Sequence, residues 1–374
     1  MSAPSFFLSA GDPSGDNAAA RLADQLRKKV PELSLFGLGG SRLRTLGQEQ
    51  LADPGDLAVL GFWEVARHFR FFQKLLRRCA DEIRSRRPNC LILVDYPGFN
   101  LRLAKMVRPL GIPIVYYISP QVWAWGHRRL RLIRECVDLM LSILPFEQQF
   151  YKDSGVESCF VGHYLLEDIP ADLIASEPPT DGGLALLPGS RRQEIERMLP
   201  AMLETASRFS MKFGTRAVVA GVRGSSDYES LIRKHLADGV TVVYDDARQV
   251  IHDSSLVLTA SGTATLETAV IGRPMVVLYK TGFVTYQIAK HLIKIDKIAL
   301  VNLVLNDKVV PELIQGEATP DKMLAELEKL YNDESHYGAI RARLNEVPSL
   351  LGGTGASERA AQMILQTVEG LGAL

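Results

Sequence analysis

Residues 5–17 read Ser-Phe-Phe-Leu-Ser-Ala-Gly-Asp-Pro-Ser-Gly-Asp-Asn. The apolar run at 6–9 predicts a buried strand, and the small and polar residues 11–16 predict a loop before a helix that begins near Asn17. A strand, a short loop and a helix in this order are typical of a parallel sheet covered by helices. The loop lacks the GK[ST] ending of a P-loop and is not a GxGxxG fingerprint.

The same alternation continues along most of the chain and predicts an α/β fold with two doubly wound, Rossmann-like parallel sheets. Further strands are predicted at 33–37, 90–94, 113–118 and 139–144 in the first half, and at 184–187, 216–220, 240–243, 256–258 and 275–279 in the second half. Residues 167–183 lose this periodicity and are rich in Pro, Asp and Gly. We therefore predict domains at 1–166 and 184–350, with a C-terminal helical segment at 351–374 that packs back on the first domain.

Composition excludes several classes of protein. A chain of 374 residues is longer than one hydrophobic core usually supports, so more than one domain is expected. No apolar run approaches the roughly 18 residues of a membrane span. Zero net charge argues against a dedicated nucleic-acid binder. The four scattered cysteines predict reduced packing residues rather than a zinc site. The N-terminus has no signal-peptide pattern, which predicts a cytoplasmic location.

Two loops of the first half carry candidate acids at predicted strand ends. Asp12 and Asp16 can accept hydrogen bonds from sugar hydroxyls, while Ser14 and Gly15 let a ligand approach the backbone. The alternative is a turn in which Ser14 or Asp16 caps the helix. Asp95 follows the apolar run 91–94, where partial desolvation raises the pKa of a carboxylate and makes it a candidate general base. A helix cap is the alternative here too.

Aromatic residues and a histidine complete the first half. Trp123 and Trp125 lie in a loop after a predicted strand and offer flat surfaces for sugar rings or acyl chains, although either ring could instead fill the core. His163, just before residues 167–183, is a further ligand candidate, with a structural role as its alternative.

Two loops of the second half predict anion binding. Gly189 and Ser190 form a small-residue turn, and Arg191 places a guanidinium at a helix N-terminus, where it can hold a diphosphate. Ser261, Gly262 and Thr263 offer amides and hydroxyls in a second such loop, with Glu267 one turn into the following helix. Together they suggest a nucleotide-diphosphate donor held in a cleft between the domains, opposite an acceptor. No Asp-x-Asp triplet occurs, so the sequence predicts neither a metal clamp nor another cofactor.

The segment 62–83 is an amphipathic basic helix by pattern. Apolar residues follow one face, and Arg67, Arg70, Lys74, Arg77 and Arg78 follow a second stripe. This predicts an interfacial helix that meets anionic lipid, and the alternative is a core-packing helix with a solvated basic face.

Taken together, these motifs resemble the lipid-A-disaccharide synthase family, and the resemblance runs through nearly the whole chain. It is carried by residues 11–16, 95–97 with 99–100, 119–125, 144–147, 162–163, 186–191 with Glu194, 261–267 and 312–315. It implies a GT-B architecture and an inverting transfer from UDP-2,3-diacylglucosamine to 2,3-diacylglucosamine 1-phosphate. It also implies Asn302 as a ligand contact, peripheral association with the inner face of the inner membrane, and a homodimer that exchanges C-terminal domains.

Three positions depart from the family pattern. Asp12 stands where the family has Glu, Gly98 stands where it has a second Asp, and Val301 stands where Pro usually precedes Asn302. The absence of an acid at 98 concentrates the base assignment on Asp95. Two rival functions remain at this stage: a UDP-sugar 2-epimerase on the same fold, and a nucleotide-sensing membrane adaptor without turnover.

Overall fold

The computed structural model describes residues 3–52, 69–124, 126, 128–180, 182–235, 237, 239–281 and 297–373. These residues form two compact units, Met1–Tyr164 with Gly352–Leu374, and Leu165–Leu351. The residues 167–183, predicted as a linker, count with the second unit, and the last residues of the chain return to the first.

A seven-stranded, all-parallel sheet forms the centre of the first unit. Its strand order is β3-β2-β1-β4-β5-β6-β7. The strands are β1 Ser5–Ala10, β2 Ser34–Leu38, β3 Glu49–Gln50, β4 Cys90–Val94, β5 Ile114–Tyr117, β6 Leu139–Ser142 and β7 Ser158–Phe160. The strands β4 and β5 are apolar along their whole length because both faces of a doubly wound sheet are covered by helices.

The helices of the first unit are α1 Pro13–Lys29, α2 Ser41–Thr45, α3 Phe69–Arg86, α4 Pro97–Val107, α5 Arg128–Cys136, α6 Pro145–Asp153 and α15 Ala356–Gly370. One face of the sheet packs under α3, α4 and α5 in a core that includes Phe7, Phe72 and Phe99. Phe6 and Leu8 point to the opposite face, since side chains alternate along a strand. On that side α1 packs on β1, and α15 packs against α1.

The second unit has a six-stranded, all-parallel sheet in the order β10-β9-β8-β11-β12-β13. The strands are β8 Gly183–Leu187, β9 Ala217–Gly221, β10 Val240–Tyr244, β11 Ser254–Ala260, β12 Met275–Tyr279 and β13 Glu312–Ile314. Counted within the unit, this is the 3-2-1-4-5-6 order of the Rossmann fold. The helices are α7 Arg192–Phe213, α8 Tyr228–Lys234, α9 Ala247–His252, α10 Thr263–Ile271, α11 Leu300–Val304, α12 Pro320–Asn332, α13 Glu334–Leu344 and α14 Val347–Leu350.

The predicted fold class is confirmed. Each of the ten predicted strands coincides with an observed one to within two residues at either end. The strands β3, β7 and β13 were not predicted, because they are two or three residues long and carry polar side chains at sheet edges or near them. The four cysteines are free thiols, as predicted. Among the described helices, none combines the length and the apolar character that a membrane span requires.

Candidate active site

Four of the loops singled out by sequence lie at two equivalent places. In each sheet the strand order reverses beside the first strand, so a crevice opens at the carboxyl ends of β1 and β4 in one unit and of β8 and β11 in the other. Residues 11–16 and 95–100 line the first of these switch points. Residues 187–191 and 261–267 line the second.

The loop after β1 is shorter than predicted, because α1 begins at Pro13 rather than near Asn17. Its cap is Asp12, whose carboxylate accepts a hydrogen bond from the amide of Gly15 at 2.6 Å. The hydroxyl of Ser14, which is exposed in the first turn of α1, lies 3.1 Å from the hydroxyl of Tyr164, measured between the two oxygens. The capping alternative named Ser14 or Asp16 and is wrong in that residue, because Asp12 is the cap; the sugar contacts of this loop stay a prediction.

Asp16 is buried and tied to the next loop of the sheet. Its carboxylate accepts hydrogen bonds from the amides of Gly40 at 2.7 Å, Arg42 at 3.0 Å and Leu43 at 3.3 Å. These donors belong to the first turn of α2 and the residue before it. We interpret Asp16 as a residue that fixes the loops after β1 and β2 to each other, a use of the carboxylate that its predicted sugar contact did not include.

Asp95 lies at the carboxyl end of β4 in a conformation that is uncommon for a residue with a side chain. Its φ is +45° and that of Tyr96 is +47°. The backbone is held in place because the Asp95 amide donates to Tyr117, and the Asp95 carbonyl accepts from Asn100 and the hydroxyl of Tyr116. Left-handed non-glycine residues cost about 1–3 kcal/mol each and persist only where the surroundings fix them.

The carboxyl group of Asp95 has the electrostatics of a general base. Burial, and after it the negative charge of Asp12, raises the pKa of Asp95 from 3.8 to about 6. The group is therefore ionised near neutral pH, yet it holds a proton more strongly than an ordinary aspartate does. Asp12 thus acts on Asp95 through its charge while it caps α1.

Gly11 and Asn100 connect the β1 and β4 loops. A Cβ at position 11 would lie 2.3 Å from the ring of Tyr96, so only glycine allows this approach. Asn100 is fully buried, accepts from the hydroxyl of Ser9 at 2.8 Å and donates to the Asp95 carbonyl at 2.8 Å. Asn100 belongs to a motif recognised in the sequence, but no role was predicted for it. Its position in the first turn of a helix, just after an acid at a strand end, could have indicated one.

Trp123 is partly buried and anchored by an acid. Its indole nitrogen donates to Glu147 Oε1 at 3.0 Å, and its ring meets the edge of Phe146 with centroids 5.0 Å apart. Glu147 is 1% exposed, and burial raises its pKa to about 7 although the hydrogen bonds it receives lower it. Sequence reasoning gave Glu147 no role. Trp125 lies outside the described residues.

His163 is 3% exposed and stacks on Tyr164 with ring centroids 5.0 Å apart. Burial lowers the pKa of His163 to about 4, so the ring is neutral near pH 7. This position agrees with the structural alternative for His163, since a buried ring is held by packing.

The second switch point opens into a cavity of about 420 Å³. All the residues predicted for the two anion-binding loops line this cavity: Gly189, Ser190, Arg191, Ser261, Gly262, Thr263 and Glu267. Further lining residues that the sequence did not predict come from the end of β9, Ala220 and Val222, and from the start of α9, Ala247. Arg191 is 82% exposed, caps α7 and pairs with Glu194 at 3.0 Å.

Two structural details limit which amides of this cavity can meet an anion. The amide of Ser261 donates to the Leu278 carbonyl at 2.8 Å and is therefore already used. The amides of Gly262, Thr263 and Ala264 have no acceptor within the described part of the chain, and they form the N-terminal end of α10. Such an end attracts negative charge.

Comparison with known proteins shows the family to which this chain belongs. A model of the lipid-A-disaccharide synthetase family matches residues 6–366. A lipid-A-disaccharide synthase of Myxococcus xanthus is 38% identical over 97% of both chains, and one of Anaeromyxobacter dehalogenans is 40% identical over 95% of both. The chain belongs to the lipid-A-disaccharide synthase family. It is therefore a glycosyltransferase, and the family and the activity expected from its motifs are confirmed.

Solved structures show that members of other families share the fold of this lipid-A-disaccharide synthase family member. MnaA of Staphylococcus aureus, solved with UDP, superimposes with a TM-score of 0.68 at 12% identity, covering 98% of this chain and 97% of its own. The glycotransferase of kitacinnamycin reaches 0.65 at 16% identity, covering 97% of this chain and 99% of its own. At such identities the likeness establishes the fold alone, which transferases and epimerases share. The epimerase alternative is weaker than the family assignment, which rests on sequence.

Asn302, carried over from the family pattern, is fully buried and uses its whole amide internally. Its nitrogen donates to Val310 at 2.9 Å and to Glu312 at 2.8 Å, and its oxygen accepts from the amides of Val309 and Val310 at 3.0 Å. Glu312 also accepts from the amides of Ile298 and Ala299. We interpret Asn302 as a residue that shapes the loop beside Ser261, whose hydroxyl donates to the Ile298 carbonyl at 3.3 Å.

The basic helix of this family member is a core helix where it is described. The apolar positions at 72, 76, 79, 80 and 83 are at most 2% exposed and pack in the core of the first unit. Arg70, Lys74, Arg77 and Arg78 are exposed. The apolar face of α3 therefore packs in the core, as the alternative interpretation of this helix expects, while contact of its basic face with anionic lipid stays a prediction. Residues 62–68, including Arg67, lie outside the described residues.

Proposed function

We propose that the chain transfers the sugar of UDP-2,3-diacylglucosamine to the 6-hydroxyl of 2,3-diacylglucosamine 1-phosphate with inversion. The products are the β-1,6-linked disaccharide 1-phosphate and UDP. The observation that carries the proposal is Asp95, a carboxylate at the switch point of the first unit whose pKa is raised to about 6 by burial and by Asp12. This is the kind of group that accepts a proton from a hydroxyl during attack.

In the proposed step Asp95 takes the proton of the acceptor hydroxyl while the hydroxyl oxygen attacks the anomeric carbon of the donor. The bond from that carbon to the diphosphate oxygen breaks at the same time, and UDP leaves with the electron pair. A positioned base is worth about 10²–10⁴-fold in rate, and holding both substrates in place adds to that.

The cavity of the second unit would hold the donor. Arg191 and the amides of Gly262 and Thr263 would bind the diphosphate, and Glu267 would accept hydrogen bonds from the ribose. An exposed ion pair such as Arg191 with Glu194 is worth at most about 1 kcal/mol, so Arg191 can leave Glu194 for a diphosphate at little cost. Gly189 and Ser190 complete this wall, while Ser261 and Asn302 support it.

The first unit would bind the acceptor. Ser14 is exposed in the first turn of α1 and would contact the sugar, with Asp12 beside it and the buried Gly15 behind it. Trp123, held by Glu147, and Trp125 would pack against the sugar ring or its acyl chains. Asp16 and His163, both buried, would support these contacts from behind.

The decisive test is incubation of the purified protein with both substrates and mass detection of the disaccharide phosphate. A parallel incubation with a soluble UDP-sugar and no acceptor tests the epimerase alternative. Disaccharide formation in the first tube alone supports the proposal. An epimerised UDP-sugar, or UDP binding without any product, would contradict it.

We also propose a cytoplasmic protein that associates peripherally with the inner face of the inner membrane, through the exposed cations of α3. Attraction to anionic lipid is worth about 1 kcal/mol for each Lys or Arg near the surface. Arg77→Ser with Arg78→Ser should therefore weaken binding to vesicles that contain phosphatidylglycerol by roughly thirtyfold, and added salt should reduce the difference. Arg216→Ser, at an exposed position of the second unit, is the control.

A homodimer is the remaining part of the proposal, and it rests on the family resemblance. Mass photometry across a concentration series tests it, since a monomer at all concentrations would contradict it.

A further inference from the structure

The cavity of the second unit has an ion pair at its wall, and the arginine of this pair was not among the predicted site residues. Glu267, on α10, lines the cavity, and its side chain is 19% exposed. Arg248, on the neighbouring helix α9, donates to Glu267 Oε1 through Nε at 3.0 Å, and its Nη2 lies 3.0 Å from the same oxygen as an ion pair. Arg248 itself does not line the cavity.

Arg248 is held from its other side as well. Its Nη1 donates to the Asp168 carbonyl, and its Nη2 lies 4.0 Å from Asp168 Oδ2. The side chains of Arg248 and Asp168 are 30% and 19% exposed. A planar guanidinium fixed at two sides can hold a carboxylate in one orientation, which a flexible surface pair cannot do.

We propose that Arg248 is a positioning residue of the donor site: it fixes Glu267 so that Oε2 faces the cavity and accepts hydrogen bonds from the ribose hydroxyls of a uridine diphosphate. The inference rests on the proposed function, because it requires a ribonucleotide in this cavity. Asp168 would anchor Arg248 without contact to the ligand. Removal of Arg248 would leave a largely buried carboxylate without its cation and free to change rotamer.

The test is a double-mutant cycle on binding, with UDP and 2′-deoxy-UDP as probes in isothermal titration calorimetry. A hydrogen bond to a charged group is lost in Glu267→Gln, so UDP should bind on the order of tenfold more weakly while 2′-deoxy-UDP changes less. Arg248→Met keeps the aliphatic stem and should reproduce both effects. The double variant should bind UDP at most about threefold more weakly than either single variant, because both changes remove the same contact.

Two further variants separate positioning from general stability. Arg248→Lys keeps the charge but not the planar fork, and should recover part of the UDP affinity and of the preference over 2′-deoxy-UDP. Arg233→Met, at an exposed arginine of α8, is the matched control and should bind both probes as the unmodified chain does. Thermal unfolding of each variant identifies one that has lost its fold.

The possible outcomes are distinguishable. If the unmodified chain does not bind UDP, the proposed function fails. If it binds UDP but Arg248→Met keeps full affinity and preference, the inference fails alone. The inference would also be overturned if the two losses of UDP affinity multiplied in the double variant. Arg248 would then act on the ligand by a route other than Glu267.

Discussion

The two switch points have the same strand topology and opposite chemistry. In the first unit the crevice between β1 and β4 presents carboxylates, and burial together with the charge of Asp12 raises the pKa of Asp95. In the second unit the crevice between β8 and β11 presents a helix N-terminus and Arg191, which favour anions. One scaffold therefore presents a carboxylate of raised pKa in one copy and a helix end that attracts anions in the other, and the loop residues decide which.

The largest expected effect separates the two copies by function. Asp95→Asn keeps the size and most hydrogen bonds of the side chain but removes the base, so turnover should fall by about 10²–10⁴-fold. Affinity for UDP should stay within about twofold, because the donor cavity belongs to the other unit. Steady-state kinetics and calorimetry measure the two quantities. Asp153→Asn, an exposed acid of the same unit, serves as the control, and equal turnover in both variants would remove Asp95 from its role.

Replacement of Gly189 should change UDP affinity, whereas replacement of Asp95 should change turnover. Gly189 has φ +100°, and a Cβ there would lie 2.6 Å from Glu194 Oε2, so Gly189→Ala should deform the cavity wall. We expect UDP to bind roughly five- to 150-fold more weakly, from strain of about 1–3 kcal/mol. Gly214→Ala has a similar φ of +68° but open space around the Cβ and no place in the cavity. It should lose stability without losing affinity; the same loss of affinity in both variants would argue for a general effect of strain.

Stability should report the raised pKa of Asp95 directly. Because the folded-state pKa is about 6 and the unfolded value is 3.8, the folded chain binds more protons between these values, and stability falls as pH rises through that window. Asp95→Asn removes this loss and should raise the free energy of unfolding by about 1–2 kcal/mol at pH 7.5, after allowance for partial solvation. The gain should shrink toward pH 4 in urea titrations. A gain that is the same at both pH values would have another cause.

The smallest effect tests how the two acids of the first unit interact. Activity at low substrate should rise as pH passes about 6, because Asp95 must be ionised. Asp12→Asn removes a neighbouring negative charge and should move this inflection to lower pH by less than one unit. Asparagine still caps a helix, so α1 should persist. An inflection that stays in place would mean that burial alone sets the pKa of Asp95.

The sequence predicted the fold well because long, buried strands leave an unambiguous pattern. The runs at 90–94 and 275–279 are apolar at nearly every position, as strands covered on both faces must be. Glu49–Gln50 and Glu312–Ile314 carry no such pattern, since short strands at a sheet edge are partly solvated.

Within the candidate site, the sequence located the loops more reliably than the task of each side chain. Asp16 and Asn302 are of residue types that often bind ligands, but their polar groups form hydrogen bonds with distant backbone groups of the protein. The amide of Ser261 is likewise taken by a neighbouring strand. Such uses depend on which distant backbone groups come close, and residue spacing does not encode that. Arg248 went unnoticed for the same reason, because its partner lies on another helix.

The position of α15 has a consequence for how the chain is made. This helix packs on α1 and contributes buried Ala360, Ala361 and Ile364 to the first unit, although the ribosome synthesises it after the entire second unit. During translation, the second unit can close its core while α1 still exposes the surface that α15 will cover. We expect the nascent first unit to remain a client of chaperones until the final helix emerges.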